Sequence, residues 1–144
     1  KSFDIIWAEG CAFIMGIPSA LKNWKKFLKP DGFLIFSDLV WFTDSPSEEC
    51  KKFFDLISPD MPSETGTEEI VRAAGYTVIN SFRLPDEGWW NTYYTPLSGL
   101  IPLLKEKYVS NHDALDIIQG LETEIEMYRK YSKEYGYRYF ILKN

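Results

Sequence analysis

Two short apolar runs of strand length flank a helical pattern near the start of the chain. They span Asp4–Ala8 and Phe33–Ser37. Both runs are nearly continuous, which is typical of strands covered on both faces, as in a parallel sheet, rather than of a half-exposed hairpin. The pattern predicts two neighbouring parallel strands joined by a crossover helix.

The helical pattern between the two runs supplies that crossover. Pro18 is suited to the first turn of a helix, and Pro30-Asp31-Gly32 is suited to end one. Apolar residues recur at helical spacing at Ile17, Ala20, Leu21, Trp24, Phe27 and Leu28, and lysines occupy the outer face at Lys22, Lys25, Lys26 and Lys29.

A strand, a crossover helix and a parallel strand form a right-handed unit, and ligands of open sheets bind beyond the carboxyl ends of the strands. Here those ends are Ala8-Glu9-Gly10 and Ser37-Asp38. We therefore expect any functional site to lie near Glu9 and Asp38.

The rest of the chain alternates between helical and strand patterns. Residues 39–44 read as a loop, and a capping-box pattern with Pro46 at the first helical position precedes a helix that carries Cys50 and Phe54. Thr67 is the expected cap of a further helix. Later elements are predicted as a strand at Tyr76–Leu84, helices at Thr95–Tyr108 and Asn111–Tyr135 with Gly136 closing the second, and a last strand at Tyr137–Leu142.

Composition and charge exclude several classes of function. The 144 residues carry a net charge of -5 without a long basic run, which argues against nucleic-acid and membrane-surface binding. No apolar run has the length of a membrane span. The spacing of Cys11 and Cys50 fits neither a metal site nor a disulfide framework, and His112 is the single histidine. These features predict no metal and a reducing, cytoplasmic location.

Three motifs together carry a family resemblance: Phe3-Asp4 at the first strand, Leu28-Lys29-Pro30-Asp31-Gly32 before the second, and Ala74-Gly75-Tyr76 before a later one. In this order they resemble the second half of the class I S-adenosylmethionine-dependent methyltransferases. The resemblance implies an α/β fold: the C-terminal half of a Rossmann-like methyltransferase fold, with a four-stranded mixed sheet, an antiparallel last strand inserted beside the mid-sheet strands, and two inserted helices.

The chain also departs from that family. The family binds its cofactor with a glycine-rich turn and a later acidic residue, whereas no two glycines here are separated by a single residue. We therefore expect a partial methyltransferase domain belonging to a longer protein and inactive by itself. Its expected division is a sheet core at 1–84 and 136–144 and a helical substrate-side insertion at 89–135.

The resemblance also implies the cofactor, S-adenosyl-L-methionine, and its site at Trp7, Ala8, Glu9 and Gly10. Glu9 and Asp38 are the candidate catalytic carboxylates. For Glu9, the alternative is that it only caps the following turn, and Asp38 is as consistent with a structural role as with the substrate side. The candidates for binding a small-molecule substrate are Trp41, Trp90, Tyr93 and Tyr94.

Two alternatives stay open. The aromatic run 89–94 either forms the wall of a substrate pocket or packs as a hydrophobic plug beneath the helices that follow. The whole chain is either part of a methyltransferase or a non-catalytic α/β interaction module, in which an exposed half-sheet pairs with another copy to form a homo-oligomer.

Overall fold

The computed structural model describes residues 2–144, which contain one mixed sheet of four strands. The strands are β1 (Phe3–Glu9), β2 (Leu28–Trp41), β3 (Thr77–Arg83) and β4 (Tyr135–Lys143). Their order across the sheet is β1-β2-β4-β3. β1 and β2 are parallel, and β4 is antiparallel to both β2 and β3. The predicted fold class, with the last strand inserted into the sheet, is confirmed.

The helices that connect these strands have well-defined bounds. They are α1 (Ile17–Lys25), α2 (Glu48–Ile57), α3 (Glu64–Ala73), the short α4 (Asp86–Trp89), α5 (Thr95–Lys107) and α6 (His112–Tyr131). A 3-10 turn at Ala12–Met15 precedes α1, and a π-helical turn at Trp90–Tyr94 joins α4 to α5.

The hydrophobic core lies on one face of the sheet, beneath α1 and α3. Phe36 on β2 and Phe140 on β4 are paired residues with stacked rings, 5.1 Å between centroids. Buried residues from α1, α3, β2, β4 and the segments next to these elements surround the two rings. They are Ala12, Ile17, Ala20, Leu21, Leu28, Leu34, Val71, Tyr76 and Leu142. Since side chains alternate along a strand, Leu34 and Phe36 of β2 and Phe140 and Leu142 of β4 contribute to this core at spacings of two residues.

The opposite face of the sheet keeps large apolar side chains in solvent. Ile5 and Trp7 on β1, Phe33 on β2 and Phe82 on β3 are all exposed, and Trp7 retains 62% of its surface. β1 also pairs with β2 alone among the described strands, so one edge of β1 is unpaired. The prediction that both strands of the first unit are covered on both faces therefore holds for one face only.

Two predicted boundaries are wrong, each because tertiary contacts override local sequence. Residues 39–41 are not a loop, since β2 continues to Trp41 opposite Tyr135 of β4. Gly136 does not close a helix: α6 ends at Tyr131, and Gly136 lies within β4, paired with Val40.

The caps of α2 and α3 also differ from prediction. The predicted capping box has Ser45 as its cap and Pro46 at the first helical position, but α2 begins at Glu48. Ser47 precedes it and makes no capping bond; its backbone N–H and its hydroxyl both donate to Glu134, at 2.7 and 2.6 Å. The cap of α3 is Ser63, whose hydroxyl accepts from the backbone N–H of Gly66, while Thr67 lies buried inside the helix.

The chain divides into two compact units. The first comprises Lys1–Leu84 and Lys133–Asn144 and holds the sheet with α1, α2 and α3. The second is Pro85–Ser132, built from α4, the π-helical turn, α5 and α6. Within residues 2–144, no helix combines the length and apolar character that a membrane crossing requires.

The core assignment is testable with two leucines of opposite exposure. Leu34 is fully buried and Leu56 is 89% exposed. We expect Leu34→Ala to lower the free energy of unfolding by about 2–5 kcal/mol, since it leaves a cavity, and Leu56→Ala to change it by about 0.5 kcal/mol or less. Urea denaturation followed by circular dichroism measures both; equal effects would contradict the assigned core.

Candidate functional site

The carboxyl end of β1 carries an exposed carboxylate held by two aromatic residues. Oε1 of Glu9 accepts hydrogen bonds from the indole Nε1 of Trp7, at 2.8 Å, and from the hydroxyl of Tyr139 on β4, at 3.2 Å. Burial, together with the nearby negative charge of Glu9, raises the pKa of Tyr139, so its phenol stays protonated and donates. Glu9 is thus a negative charge in a fixed orientation at the edge where ligands of such sheets bind.

Gly10 follows Glu9 with a left-handed backbone, φ +54°. A Cβ at this position would lie 2.7 Å from the hydroxyl oxygen of Tyr137, which is closer than carbon and oxygen approach each other without a shift. The backbone N–H of Gly10 donates to the carbonyl of Ser37, at 2.9 Å, and ties the end of β1 to β2. The position therefore requires glycine for both conformation and space.

Asp38 is a buried carboxylate, 2% exposed, that organises the loop after β1. Its Oδ2 accepts from the backbone N–H of Phe13, at 2.8 Å, and its Oδ1 from that of Leu39, at 2.9 Å. Burial raises the pKa of Asp38, and these backbone donors partly oppose the rise. Asp38 thereby fixes the 3-10 turn that leads from the site into α1.

The two candidate catalytic carboxylates point to opposite faces of the sheet. Glu9 pairs with Ser37 and shares its face, whereas Asp38, the next residue on β2, belongs to the face that α1 and α3 cover. The sequence placed both at strand ends on the same edge; the structure places Glu9 at the end of β1 and Asp38 within β2, which continues to Trp41. The structure does not bring them together on one face.

A partly open cavity of about 450 Å³ lies on the helix-covered side beside Asp38. It is bounded by the 3-10 turn, the start of α1, the segment between α2 and α3, and α3 itself. Its lining residues are Phe13, Gly16, Ile17, Pro18, Asp38, Leu39, Ile57, Ser58, Pro59, Asp60, Pro62 and Ile70. Apart from Asp38, none was predicted from the sequence as a site residue, because the cavity arises from segments up to 57 residues apart.

Trp41, a substrate-binding candidate, packs within the first unit. Its ring meets Phe54 of α2 edge-on at 5.4 Å and Tyr135 of β4 at 6.5 Å, and its backbone N–H donates to the carbonyl of Pro62. It is half-buried. These contacts dock α2 against the end of the sheet.

The other substrate-binding candidates lie in the π-helical turn of the second unit. Tyr94 is 1% exposed, stacks on Trp89 at 5.7 Å, and donates its hydroxyl to Glu124 at 3.2 Å. Trp90 is half-buried, and Tyr93 is 42% exposed. Tyr94 thus packs as the plug interpretation describes, while Tyr93 and Trp90 keep surface that a ligand could contact.

Sequence reasoning missed Tyr137 and Tyr139, which lie beside Gly10 and Glu9. The available signal was their i, i+2 spacing in the last strand, which places both rings on one face. The register between β2 and β4 decides that this face is the one that carries Glu9. Within the described part of the chain, no cluster of ligand-type side chains could hold a metal ion.

The groups at the end of β1 suit one part of S-adenosylmethionine. An exposed carboxylate beside the aromatic rings of Trp7 and Tyr139 is favourable for a cationic group. No glycine-rich turn for the remainder of the cofactor is present in the 144 residues. The fit is therefore to the sulfonium end alone.

No family model matches the chain. No curated protein matches it by sequence.

Solved structures do match. A SAM-dependent methyltransferase from Geobacter sulfurreducens in complex with S-adenosyl-L-homocysteine aligns over 98% of this chain and 57% of its own, with 16% identity and a TM-score of 0.78. YjhP from E. coli aligns over 99% of this chain and 59% of its own, with 21% identity and a TM-score of 0.78. A phosphoethanolamine N-methyltransferase from Haemonchus contortus aligns over 99% of this chain and 33% of its own, with 16% identity and a TM-score of 0.76.

The chain thus has the fold of class I S-adenosylmethionine-dependent methyltransferases and resembles a part of them. It spans less than two thirds of each of these structures.

The close contact between Gly10 and Tyr137 is testable with a matched glycine. Gly16 also has a left-handed backbone, φ +79°, but no atom within 4 Å of an added Cβ. We expect Gly16→Ala to cost about 1 kcal/mol from backbone strain, and Gly10→Ala to cost about 2–3 kcal/mol, because the Tyr137 ring must also move.

Chemical denaturation of both variants measures the difference. Adding Tyr137→Ala should remove most of the extra cost at Gly10 and none at Gly16. Equal costs for the two single variants would contradict the contact.

Proposed function

We propose that this chain is the acceptor-side part of an S-adenosylmethionine-dependent methyltransferase that acts on a small molecule as part of a longer protein. The observation that carries the proposal is the parallel pair β1–β2 with Glu9-Gly10 at its carboxyl end, in a sheet whose fold matches solved methyltransferases. Fold alone does not determine function, so the groups at that edge have to support the chemistry.

The exposed side of the sheet supports the longer-protein part of the proposal. Ile5, Trp7 and Phe33 form an apolar surface next to the unpaired edge of β1. Burying such a surface stabilises the folded protein by about 25 cal/mol for each Å² of apolar area removed from water. A further strand parallel to β1 would pair with its free edge, and helices over this face would cover the apolar surface.

When bound, S-adenosylmethionine supplies an electrophilic methyl group on a positively charged sulfur. The carboxylate of Glu9 favours a cation at this edge, and the hydrogen bonds from Trp7 and Tyr139 keep it in one orientation. Gly10 provides the left-handed turn that ends β1 beneath Tyr137, and Ala8 anchors the strand on its core side. Since methyl transfer is an in-line displacement, alignment and exclusion of water are the main tasks of the protein.

Within the first unit we assign Asp38 and Trp41 to the acceptor side. Trp90 and Tyr93 are separate candidates for substrate contact in the second unit, and Tyr94 supports that unit from within. Asp38 acts on the acceptor side through the turn it holds, since its carboxylate accepts the backbone N–H of Phe13. A reducing compartment such as the cytoplasm fits the two free thiols, Cys11 and Cys50.

The alternative function is a non-catalytic module that self-associates. The unpaired edge of β1 and the exposed apolar residues beside it favour this reading, because such edges pair with other strands. Light scattering separates the two: we expect a monomer for the longer protein. A stable dimer dispersed by Trp7→Lys would support the module instead.

Cofactor binding tests the main proposal directly. We expect calorimetry with S-adenosylhomocysteine to show no binding by residues 1–144 alone, since the glycine-rich turn is absent, and clear binding by a protein that continues into the residues encoded upstream. Tight binding by residues 1–144 would contradict this account of the cofactor site.

The charge of Glu9 is tested by comparing two ligands. S-adenosylmethionine carries a positive sulfonium and S-adenosylhomocysteine does not. In the longer protein we expect Glu9→Gln to weaken binding of the charged ligand about threefold to tenfold more than that of the neutral one, because it removes a favourable carboxylate.

Asp4→Asn is the matched control. It removes an exposed carboxylate at the other end of the same strand, where Asp4 pairs with Lys29. The role given to Glu9 would be ruled out if Glu9→Gln weakened the binding of both ligands equally. It would also be ruled out if Asp4→Asn weakened binding of the charged ligand as selectively as Glu9→Gln does.

A further inference from the structure

The cavity beside Asp38 has an unusual balance of charge and apolar surface. Most of its wall is apolar, with Ile17, Pro18, Ile57 and Ile70 among the lining residues. Its titratable lining groups are both carboxylates, at Asp38 and Asp60, and no lysine, arginine or histidine lines it. A volume of about 450 Å³ lies within the range of small-molecule sites, which is about 300–1,000 Å³.

Asp38 is a buried charge without a counterion among the described residues. Its carboxylate oxygens accept backbone N–H groups from Phe13 and Leu39. Its cross-strand neighbour Arg138 donates to Glu64 and to the hydroxyl of Ser81, the latter at 2.6 Å. A buried carboxylate is ordinarily paired with a cation, and neutral donors compensate it only in part.

We propose that this cavity binds an organic ammonium ion, a protonated primary or secondary amine carrying an apolar group, with its nitrogen toward Asp38 and Asp60. The ammonium supplies the missing positive charge through charge-assisted hydrogen bonds. The apolar group removes Ile17, Ile57 and Ile70 from water. A buried carboxylate at Asp38, a second, exposed carboxylate at Asp60 and a mostly apolar wall together favour this class of ligand.

Other charges near the cavity define the competing outcome. The amino end of α1, at Gly16 and Ile17, lines the cavity and favours an anion. An adjoining groove shares Pro18 and Ile70 and is lined by Lys22 and Lys25. An anionic ligand would therefore bind at the amino end of α1 or in the groove lined by Lys22 and Lys25. An ammonium ion would bind beside Asp38, so the position of the bound ligand distinguishes the two charges.

The ammonium site shares Asp38 with the acceptor side of the proposed function, whereas Glu9 and the cofactor assignment lie on the other face of the sheet. A binding measurement without any cofactor therefore tests it separately, and its failure would leave the methyltransferase proposal unchanged.

The probes are three molecules of similar size and different charge: 2-phenylethylammonium, 2-phenylethanol and 3-phenylpropanoate. Each is titrated into the ¹⁵N-labelled protein, and backbone amide shifts are followed by NMR. We expect the ammonium to bind about tenfold or more tightly than the alcohol, because it gains a charge-assisted interaction. The shifted amides should include Phe13, Gly16, Leu39 and Ile70.

Three variants complete the test. Asp38→Asn should abolish the preference for the ammonium over the alcohol, and Asp55→Asn, an exposed carboxylate on α2 outside the cavity, should leave it unchanged. Since Asp38→Asn also disturbs the turn, Ile57→Trp provides a second variant. Its side chain is at the exposed rim, so the fold should tolerate the change while the larger ring blocks all binding.

Four results would overturn the inference: absence of binding by all three probes, equal affinity for the ammonium and the alcohol, tighter binding of the carboxylate, or shifts centred on Lys22 and Lys25. Unchanged ammonium binding in the folded Ile57→Trp variant would also place the ligand elsewhere.

Discussion

The structure depends on the burial of one face of β2 and β4. Phe36 and Phe140 stack at the centre of the sheet, and α1 and α3 close over them. Because β2 pairs on one side with parallel β1 and on the other with antiparallel β4, it fixes the direction of both neighbours. The end of β1 at Glu9 therefore lies beside the interior of β2 and β4, where Asp38 and Tyr139 are.

The pleat of β2 decides how that region of the sheet is used. Adjacent residues of a strand point to opposite faces, so Ser37 lies with Glu9 and Asp38 lies with the helices. One face then carries an exposed carboxylate with aromatic neighbours, and the other carries a buried carboxylate next to a cavity. The proposed cofactor side and the proposed ammonium site lie on opposite faces of the sheet because Ser37 and Asp38 are adjacent in β2.

The fold and the chemistry rest on different kinds of evidence. Solved methyltransferases share the fold at an identity of 16%, and a shared fold does not by itself determine function. The exposed row of Ile5, Trp7 and Phe33 is a property of this chain's own surface. It is the physical reason for proposing that more of the sheet exists in the working protein.

The sequence by itself determined the parallel unit, its crossover helix and the edge at which Glu9 and Asp38 lie, because these depend on local periodicity and on handedness rules that hold for most folds. Only the tertiary structure decided that β2 reaches Trp41, that Gly136 belongs to a strand, and that Tyr137 covers Gly10. Each of these depends on the register between segments about a hundred residues apart. Local pattern carries no information about such pairing, and the cavity beside Asp38 is a consequence of the same long-range packing.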